Sequence, residues 1–380
     1  LDIRIIPSSN NPCSVMLSSQ VFDYIVIGGG IAGSTFSNLM GRKGYKVLVI
    51  EKDEYPKHKV CGEYVSMESY NFMQDIGVPL DSFDLPRINQ FKLTEPKGRA
   101  INLPLELGGF GISRYLMDSE LKKASLNAGC QWVKDTVLSY GKEKDLYEVK
   151  TKKNIYLSKE LIGAWGKRSL LDNNLERPFY SNKQSRLTNW VGIKYHVKSQ
   201  LLKKDLISLH TFKNGYCGMS KIENDAFCIC YLMRSENLRN RTIHESEELF
   251  LFKNPFIKEV FTQSEFIYDQ PLAISQISFQ NKSKNEKQAL MLGDAAGLIA
   301  PLCGNGMSMA MHSALLASQI KNKAHYPSHW KKEFNQRIKL GRFVQYIFGR
   351  TGVMSAFIQL AHLFPFIAKW MIRKSHGKPF

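Results

Sequence analysis

No CxxC pair, no HExxH or GxSxG segment and no basic strand studded with aromatics occurs anywhere in this chain of 380 residues. A thiol-ligated zinc site, a zinc protease, a serine-hydrolase elbow and the common nucleic-acid modules are therefore without support. Cysteine is sparse: the seven residues are scattered, and their odd number argues against a disulfide framework and for a reducing compartment, the cytoplasm. The nine histidines show no ligand spacing, so no metal is expected. Internal repeats and low-complexity tracts are missing as well. The opening LDIRIIPSSNNPCSV has neither the basic start nor the apolar run of a signal peptide. Met16 is the expected native start, with residues 1–18 a disordered extension ahead of the fold.

Acid is scarce in one region above all. The whole chain carries 52 Lys plus Arg against 34 Asp plus Glu, a formal charge of +18. Between Lys321 and Phe380 stand twelve basic residues and a single acid, Glu333, so eleven of those charges lie in the last sixty residues. The same tail holds the most apolar stretch, Val353 to Ile372, which Pro365, Ser355, Gln359, His362 and Lys369 interrupt. The expectation is a helical tail that either docks on the protein through Phe348, Phe357, Phe364, Phe366 and Trp370 or lies on a membrane face, with no span.

What is present begins at Val21. FDYIVI is a β-branched apolar run, GGGIAG follows at once, a helical pattern reaches about Met40, and Lys46 to Ile50 is a second apolar run ending at Glu51. This is a strand, glycine turn, helix and strand within about thirty residues. Gly28, Gly30 and Gly33 form GxGxxG, in which small residues permit a tight turn, close approach of backbone to a pyrophosphate, and close packing of helix on strand. Glu51, eighteen residues after Gly33, is placed to accept from a ribose hydroxyl. A second glycine-rich segment, GDAAGLIAPLCGNGM, decides between NAD and FAD. Gly293 and Asp294 close a buried strand, where the acid can accept from a ribityl hydroxyl, and Gly304, Asn305, Gly306 and Met307 open a helix whose N–H groups suit the flavin ring. Arg114 begins a helix expected from Arg114 to Asn127 and reaches toward cofactor phosphate or ribityl.

The fold class expected is α/β (α+β). Residues 19–66, 111–188 and 281–328 are assigned to one lobe and 67–110 with 189–280 to a second, β-rich lobe, an arrangement that resembles a Rossmann-type FAD-binding domain interrupted by a β-sheet substrate domain, and a helical tail follows (329–380). Residues 67–110 read as short mixed segments, and 133–162 as strands around turns at Gly141 and Lys153. In WVGIKYHV, alternation sets Lys194 and His196 on one face, making His196 a candidate acid or base if that face lines the substrate cavity. Tyr216 is a further pocket candidate.

GGGIAG with Glu51, the SRYLMD helix, GAWGKRS and GDAAGLIAPLCGNGM stand in an order that resembles FAD-dependent oxidoreductases of the hydroxybenzoate-hydroxylase type. The branch most similar holds geranylgeranyl reductases, flavin-dependent halogenases and FAD monooxygenase-like proteins. The resemblance implies noncovalent FAD and, through KVCGEY, places Cys61 near the flavin on the reacting side; Cys303 reads as packing. Two departures matter. Trp165 stands where the family's acid would be, Asn214 to Lys221 has neither Trp nor Pro where halogenases carry W-x-W-x-I-P, and for the same reason a standard prenyl-reductase pocket is weakened. The function expected is an NAD(P)H-dependent FAD monooxygenase hydroxylating a lipophilic aromatic or polyketide-like molecule. Two alternatives stand beside it: a prenyl-lipid reductase, and a flavin-binding electron-transfer protein without its own substrate chemistry. No nucleic-acid partner is expected.

Overall fold

The computed structural model describes residues 16–181, 189–298, 304–348, 350–375 and 377–380. Two sheets organise them. In the first, the strand order is Asn285–Glu286, Ala289–Met291, Asn154–Gly163, Met16–Ile27, Val47–Glu51 and Gln131–Lys134, and Val137–Glu143 and Leu146–Thr151 form a hairpin extending it. From Ala289–Met291 to Gln131–Lys134 the neighbours run parallel. Residues Val47 to Ile50 are buried; helix Ile31–Arg42 packs on this strand and helix Arg114–Asn127 packs on that helix. Ser113 caps the second of these, accepting from the Leu116 N–H at 3.1 Å, so the helix starts at Arg114 as expected.

The second sheet runs Glu265–Phe266, Trp190–Lys198, Phe227–Arg234, Gly215–Lys221, Leu206–Phe212, Arg87–Thr94, Ala100–Gly111 and Tyr64–Ser66, and Leu272–Ile277 also pairs with Trp190–Lys198. Its pairings are antiparallel except that of Leu206–Phe212 with Arg87–Thr94.

Three sequence expectations change here. The first strand begins at Met16, pairing with Asn154, so residues 16–18 belong to the sheet; a register shift between Leu17 and Val21 hides the continuity. Residues 1–15 lie outside the described residues. Gly141 is inside a strand, and the chain reverses after Glu143, where Lys144 takes φ +54°. Residues 87–111 hold strands of eight and twelve residues in place of short broken segments. Ile101, Leu103 and Leu105 alternate inward, and Pro104 sits between them, opposite Gln90.

His210 shows how the second sheet handles a buried polar group. Its ring lies between the Thr94 and Ser208 hydroxyls, each 2.9 Å away, and burial lowers its pKa to about 3. The unfolded chain takes up a proton near pH 6.5 while the folded one does not, so stability falls as pH drops from 6.5 toward 3. Urea melts at pH 7 and pH 4.5 should show a loss of roughly 2 to 3 kcal/mol from this group, absent in His210→Gln. An equal acid loss in that variant would remove His210 as the cause.

Helices Tyr326–Phe348, Thr351–Leu363 and Pro365–Ser375 form the tail. Met354, Ile358, Ala361 and Ala368 join one core with Ile101, Leu103, Leu209 and Leu232 of the second sheet. Phe357 packs against that core, whereas Phe364, Phe366 and Trp370 are exposed, so the expected inward docking holds for only one of these four aromatics. The side chain of Phe348 lies outside the described residues. No single helix among the described residues is long and apolar enough to cross a membrane.

Candidate active site

The first strand ends at Ile27 and helix Ile31–Arg42 begins after three glycines. Gly28 takes φ +100°, and a Cβ there would stand 2.6 Å from the Ala164 carbonyl oxygen. At Gly33 a Cβ would come within 1.9 Å of the Gly28 oxygen. These two glycines are required by packing. Gly30 differs, since a Cβ would meet nothing nearer than Lys59 Nζ at 4.0 Å, and its open side faces the cavity. Glu51 closes the next strand, where its carboxylate accepts from Gly29 N–H at 2.8 Å and Asp53 N–H at 3.1 Å. It therefore ties the turn in place and also lines the cavity.

Above the turn, Arg114 grips Asp118 through Nε and Nη2 at 2.9 and 2.7 Å. Lys59 Nζ reaches the same carboxylate at 2.7 Å and donates to the Tyr55 hydroxyl at 2.7 Å. Burial lowers the Lys59 pKa despite Asp118; for Arg114 the pull of burial is outweighed by Asp118 and its pKa is raised. Two cations share one buried carboxylate and both line the cavity near Gly30, where their N–H donors suit a pyrophosphate. Arg114 was legible in the sequence. Lys59 was not, because Lys57-His58-Lys59 reads as a solvated charge run.

At the other end Gly293, φ +54°, donates its N–H to Ser313 Oγ at 2.9 Å, and Asp294 faces the cavity. Lys282 Nζ donates to the Asp294 and Lys167 carbonyls, each at 2.9 Å, and burial lowers its pKa to about 8. Helix Gly306–Gln319 presents Gly306 and Met307 to the cavity, with Gly304 beside them, while Asn305 is fully buried at its N-cap. Of the residues singled out from the sequence, Gly30, Glu51, Cys61, Arg114, Asp294, Gly304, Gly306 and Met307 meet at one cavity, as does Tyr216. Gly28, Gly33 and Gly293 support it from behind, and Cys303 lies outside the described residues.

The loop His58–Glu63 joins this half to the second sheet. Cys61 is half-buried on the cavity, its Sγ 3.7 Å from Met307 Sδ. The carbonyls of Cys61 and Gly62 accept from Cys228 Sγ and Ser220 Oγ, each at 3.3 Å. Glu63 is fully buried at φ +54°, and its carboxylate accepts from the Arg114 N–H at 2.7 Å, Lys194 Nζ at 2.6 Å and His196 Nε2 at 2.6 Å. Burial favours its neutral form, yet His196 and Lys194 hold its pKa below the usual carboxylate value. His196 is thus neither on a solvated face nor on the cavity wall: it shares a face with Lys194, as alternation required, and both turn onto Glu63. His58, on the cavity, stacks on Tyr115 at 4.8 Å, lies 5.1 Å from the His196 ring and places Nε2 3.0 Å from the Tyr268 hydroxyl. His58, Glu63 and His196 bring donor atoms within 4.8 Å of one another. Both Glu63 oxygens already hold hydrogen bonds from cationic or N–H donors, so this is a bonded knot and a poor cation site. Trp165 lines the cavity and donates its indole N–H to Asp172 Oδ1 at 3.0 Å, with Arg177 on the same carboxylate at 3.0 Å.

The cavity encloses about 500 Å³ and continues to an apolar wall of Ile207, Leu209, Leu232, Ile274 and Leu298 from the second sheet and its neighbours. Open space at Gly30, a buried carboxylate at the strand end, two cations beside the turn and a long helix start at the far side fit a dinucleotide with a ring at one end.

Residues 26–56 match an NAD(P)-binding Rossmann-like domain. A 1H-pyrrole-2-carbonyl-(peptidyl-carrier protein) brominase of Pseudoalteromonas luteoviolacea is 22% identical over 84% of this chain and 82% of its own length. Digeranylgeranylglycerophospholipid reductase of Methanocaldococcus jannaschii is 23% identical over 83% and 80%. Conditioned medium factor receptor 1 of Dictyostelium discoideum is 23% identical over 79% of this chain, which spans 63% of that relative. Squalene monooxygenase of Mus musculus is 24% identical over 78%, and the chain spans 54% of it. Among solved structures, the flavin-dependent brominase Bmp2 superposes with a TM-score of 0.75 at 16% identity, covering 94% of this chain and 93% of its own. Halogenase PltM in complex with phloroglucinol and FAD gives 0.68 at 17% identity, covering 93% and 85%.

The fold is that of Rossmann-type flavoprotein structures, with a second, nine-stranded sheet. The chain is similar to FAD-dependent oxidoreductases, among them a brominase, a prenyl-lipid reductase and squalene monooxygenase, and FAD is the cofactor this likeness implies.

Proposed function

We propose that the chain is an NAD(P)H-dependent FAD monooxygenase acting on a lipophilic aromatic or polyketide-like molecule. The observation that carries this reading is the continuity of one cavity from the glycine turn to an apolar wall on the other sheet. FAD, when bound, supplies the redox and oxygen chemistry. Glu51 would hold the ribose, Lys59 and Arg114 the phosphates, Asp294 a ribityl hydroxyl, and Gly304 to Met307 the ring end. Leu209, Leu232 and Leu298 orient an apolar substrate and exclude water. Squalene monooxygenase among the relatives supports oxygen transfer to a lipophilic molecule. The halogenase structures, below 20% identity, bear on fold alone, and strand Gly215–Lys221 offers neither Trp nor Pro to the cavity.

A second reading, alkene reduction of a prenyl lipid, is favoured by one observation: the Cys61 thiol faces the cavity beside Met307, where it could give a proton to one alkene carbon while the other receives hydride. Following NADPH oxidation with and without oxygen, in the presence of candidate lipids and aromatic polyketides, separates the two. Turnover that needs oxygen supports the monooxygenase; anaerobic turnover supports the reductase; bound flavin with no turnover overturns both and favours an electron-transfer role.

Cys61→Ser should change turnover on an identified substrate at least several-fold while leaving FAD content as in the wild type, because the variant keeps the side chain's size and the thiol's neighbour is Met307, 3.7 Å away. Wild-type turnover in that variant would make Cys61 a packing residue.

A further inference from the structure

We propose that the corner between helices Thr351–Leu363 and Pro365–Ser375 docks on an anionic lipid bilayer. Nineteen large apolar side chains are exposed among the described residues, and eight of them fall between Phe343 and Trp370. The densest group sits at the corner, with Leu363 74%, Phe366 66%, Trp370 56% and Phe364 46% exposed. A run of this kind is unusual on a surface that meets only water. The helices are bent by 110° where Pro365 breaks them, so the corner projects side chains outward from two helix ends at once.

Charge names the occupant. Lys369, Arg373 and Lys374 are exposed on the second helix of the pair, and from Lys321 onward the only acid is Glu333, which lies within 3.3 Å of Arg337. Apolar and aromatic side chains rimmed by lysine and arginine match the acyl boundary and headgroups of an anionic leaflet. A hydrophobic protein partner would not call for that basic rim. The inward faces of the same helices supply Met354, Ile358 and Ala361 to the core containing Leu209 and Leu232, two residues of the cavity wall. The proposed membrane face and the apolar end of the cavity are therefore two sides of one thin layer. That placement gives the docking a purpose only if the lipophilic-substrate reading holds; the docking itself rests on the surface.

The test uses the full-length FAD-loaded protein and vesicle flotation. Vesicles of phosphatidylcholine with phosphatidylglycerol are compared with phosphatidylcholine alone, at low and high salt. The wild type should float with the anionic vesicles at low salt and release at high salt. Leu363→Asp with Phe366→Glu should reduce flotation at least tenfold with melting temperature and FAD content unchanged, since both side chains are exposed. Lys369→Glu with Arg373→Glu should abolish the preference for anionic vesicles. No flotation of the wild type at low salt, equal binding to both vesicle types, or unaltered flotation of the apolar variant overturns the proposal. So does a wild-type dimer in velocity sedimentation that the apolar variant makes monomeric without vesicle binding, which would assign the corner to a second copy. Because FAD content and turnover with soluble substrates are read separately, failure of docking is distinct from failure of the enzymatic reading.

Discussion

Replacing Glu63 by alanine should destabilise the protein by about 3 to 5 kcal/mol, since Lys194 would keep a buried ammonium with its counter-charge removed. The Lys194 side chain is 2% exposed, so water cannot replace the lost carboxylate without opening the lobe junction. Urea denaturation at neutral pH measures the loss. A double variant, Glu63→Gln with Lys194→Met, removes both charges and should recover much of the stability, because the cost lies in the unpaired charge and not in the carboxylate itself. The pH dependence has a defined sign. Glu63 has its folded pKa below the ordinary 4.5, so its contribution is present above that value and is lost as pH falls through the lower folded one. A Glu63→Ala midpoint within about 0.5 kcal/mol of wild type would show that the knot carries no stability.

A pair of alanines in the glycine turn should behave in opposite ways. In Gly33→Ala the new methyl meets the Gly28 carbonyl oxygen at 1.9 Å, a backbone atom that no side-chain adjustment relieves. The variant should lose about 1 to 3 kcal/mol or more and lose FAD with it. Gly30→Ala places its methyl in open space, so the melting temperature should hold while FAD affinity falls at least tenfold, because the methyl occupies the approach of the pyrophosphate. Flavin absorbance of the purified proteins and thermal melts read both effects. Full FAD occupancy in Gly30→Ala would move the phosphates away from this turn.

The local patterns carried much of this in the sequence. GxGxxG, Glu51 and the Ser113 cap act over short spans, so their geometry is written in spacing, and strand alternation put Lys194 and His196 on one face. What they meet was not legible. Glu63 lies 131 and 133 residues from its two partners, and nothing in KVCGEY marks its acid as buried. Lys59 hides in a loop run that looks solvated, and the carboxylate it reaches, Asp118, is far along the chain on helix Arg114–Asn127. Gly141 misled because a glycine in a strand resembles a turn, whereas the reversal used Lys144 in the left-handed region. The twelve-residue strand through Pro104 was concealed by the proline.

The Glu63 knot bears on how such a protein changes over time. Its carboxylate takes one bond from the start of a cofactor-side helix and two from a substrate-side strand, while the loop before it delivers Cys61 to the cavity. The halves are therefore not interchangeable parts. A transplanted substrate sheet would fit this cofactor half only if it brought matching donors at the positions of Lys194 and His196, so new specificity is reached more readily by altering wall residues such as Leu209 or Leu232 than by exchanging the sheet whole.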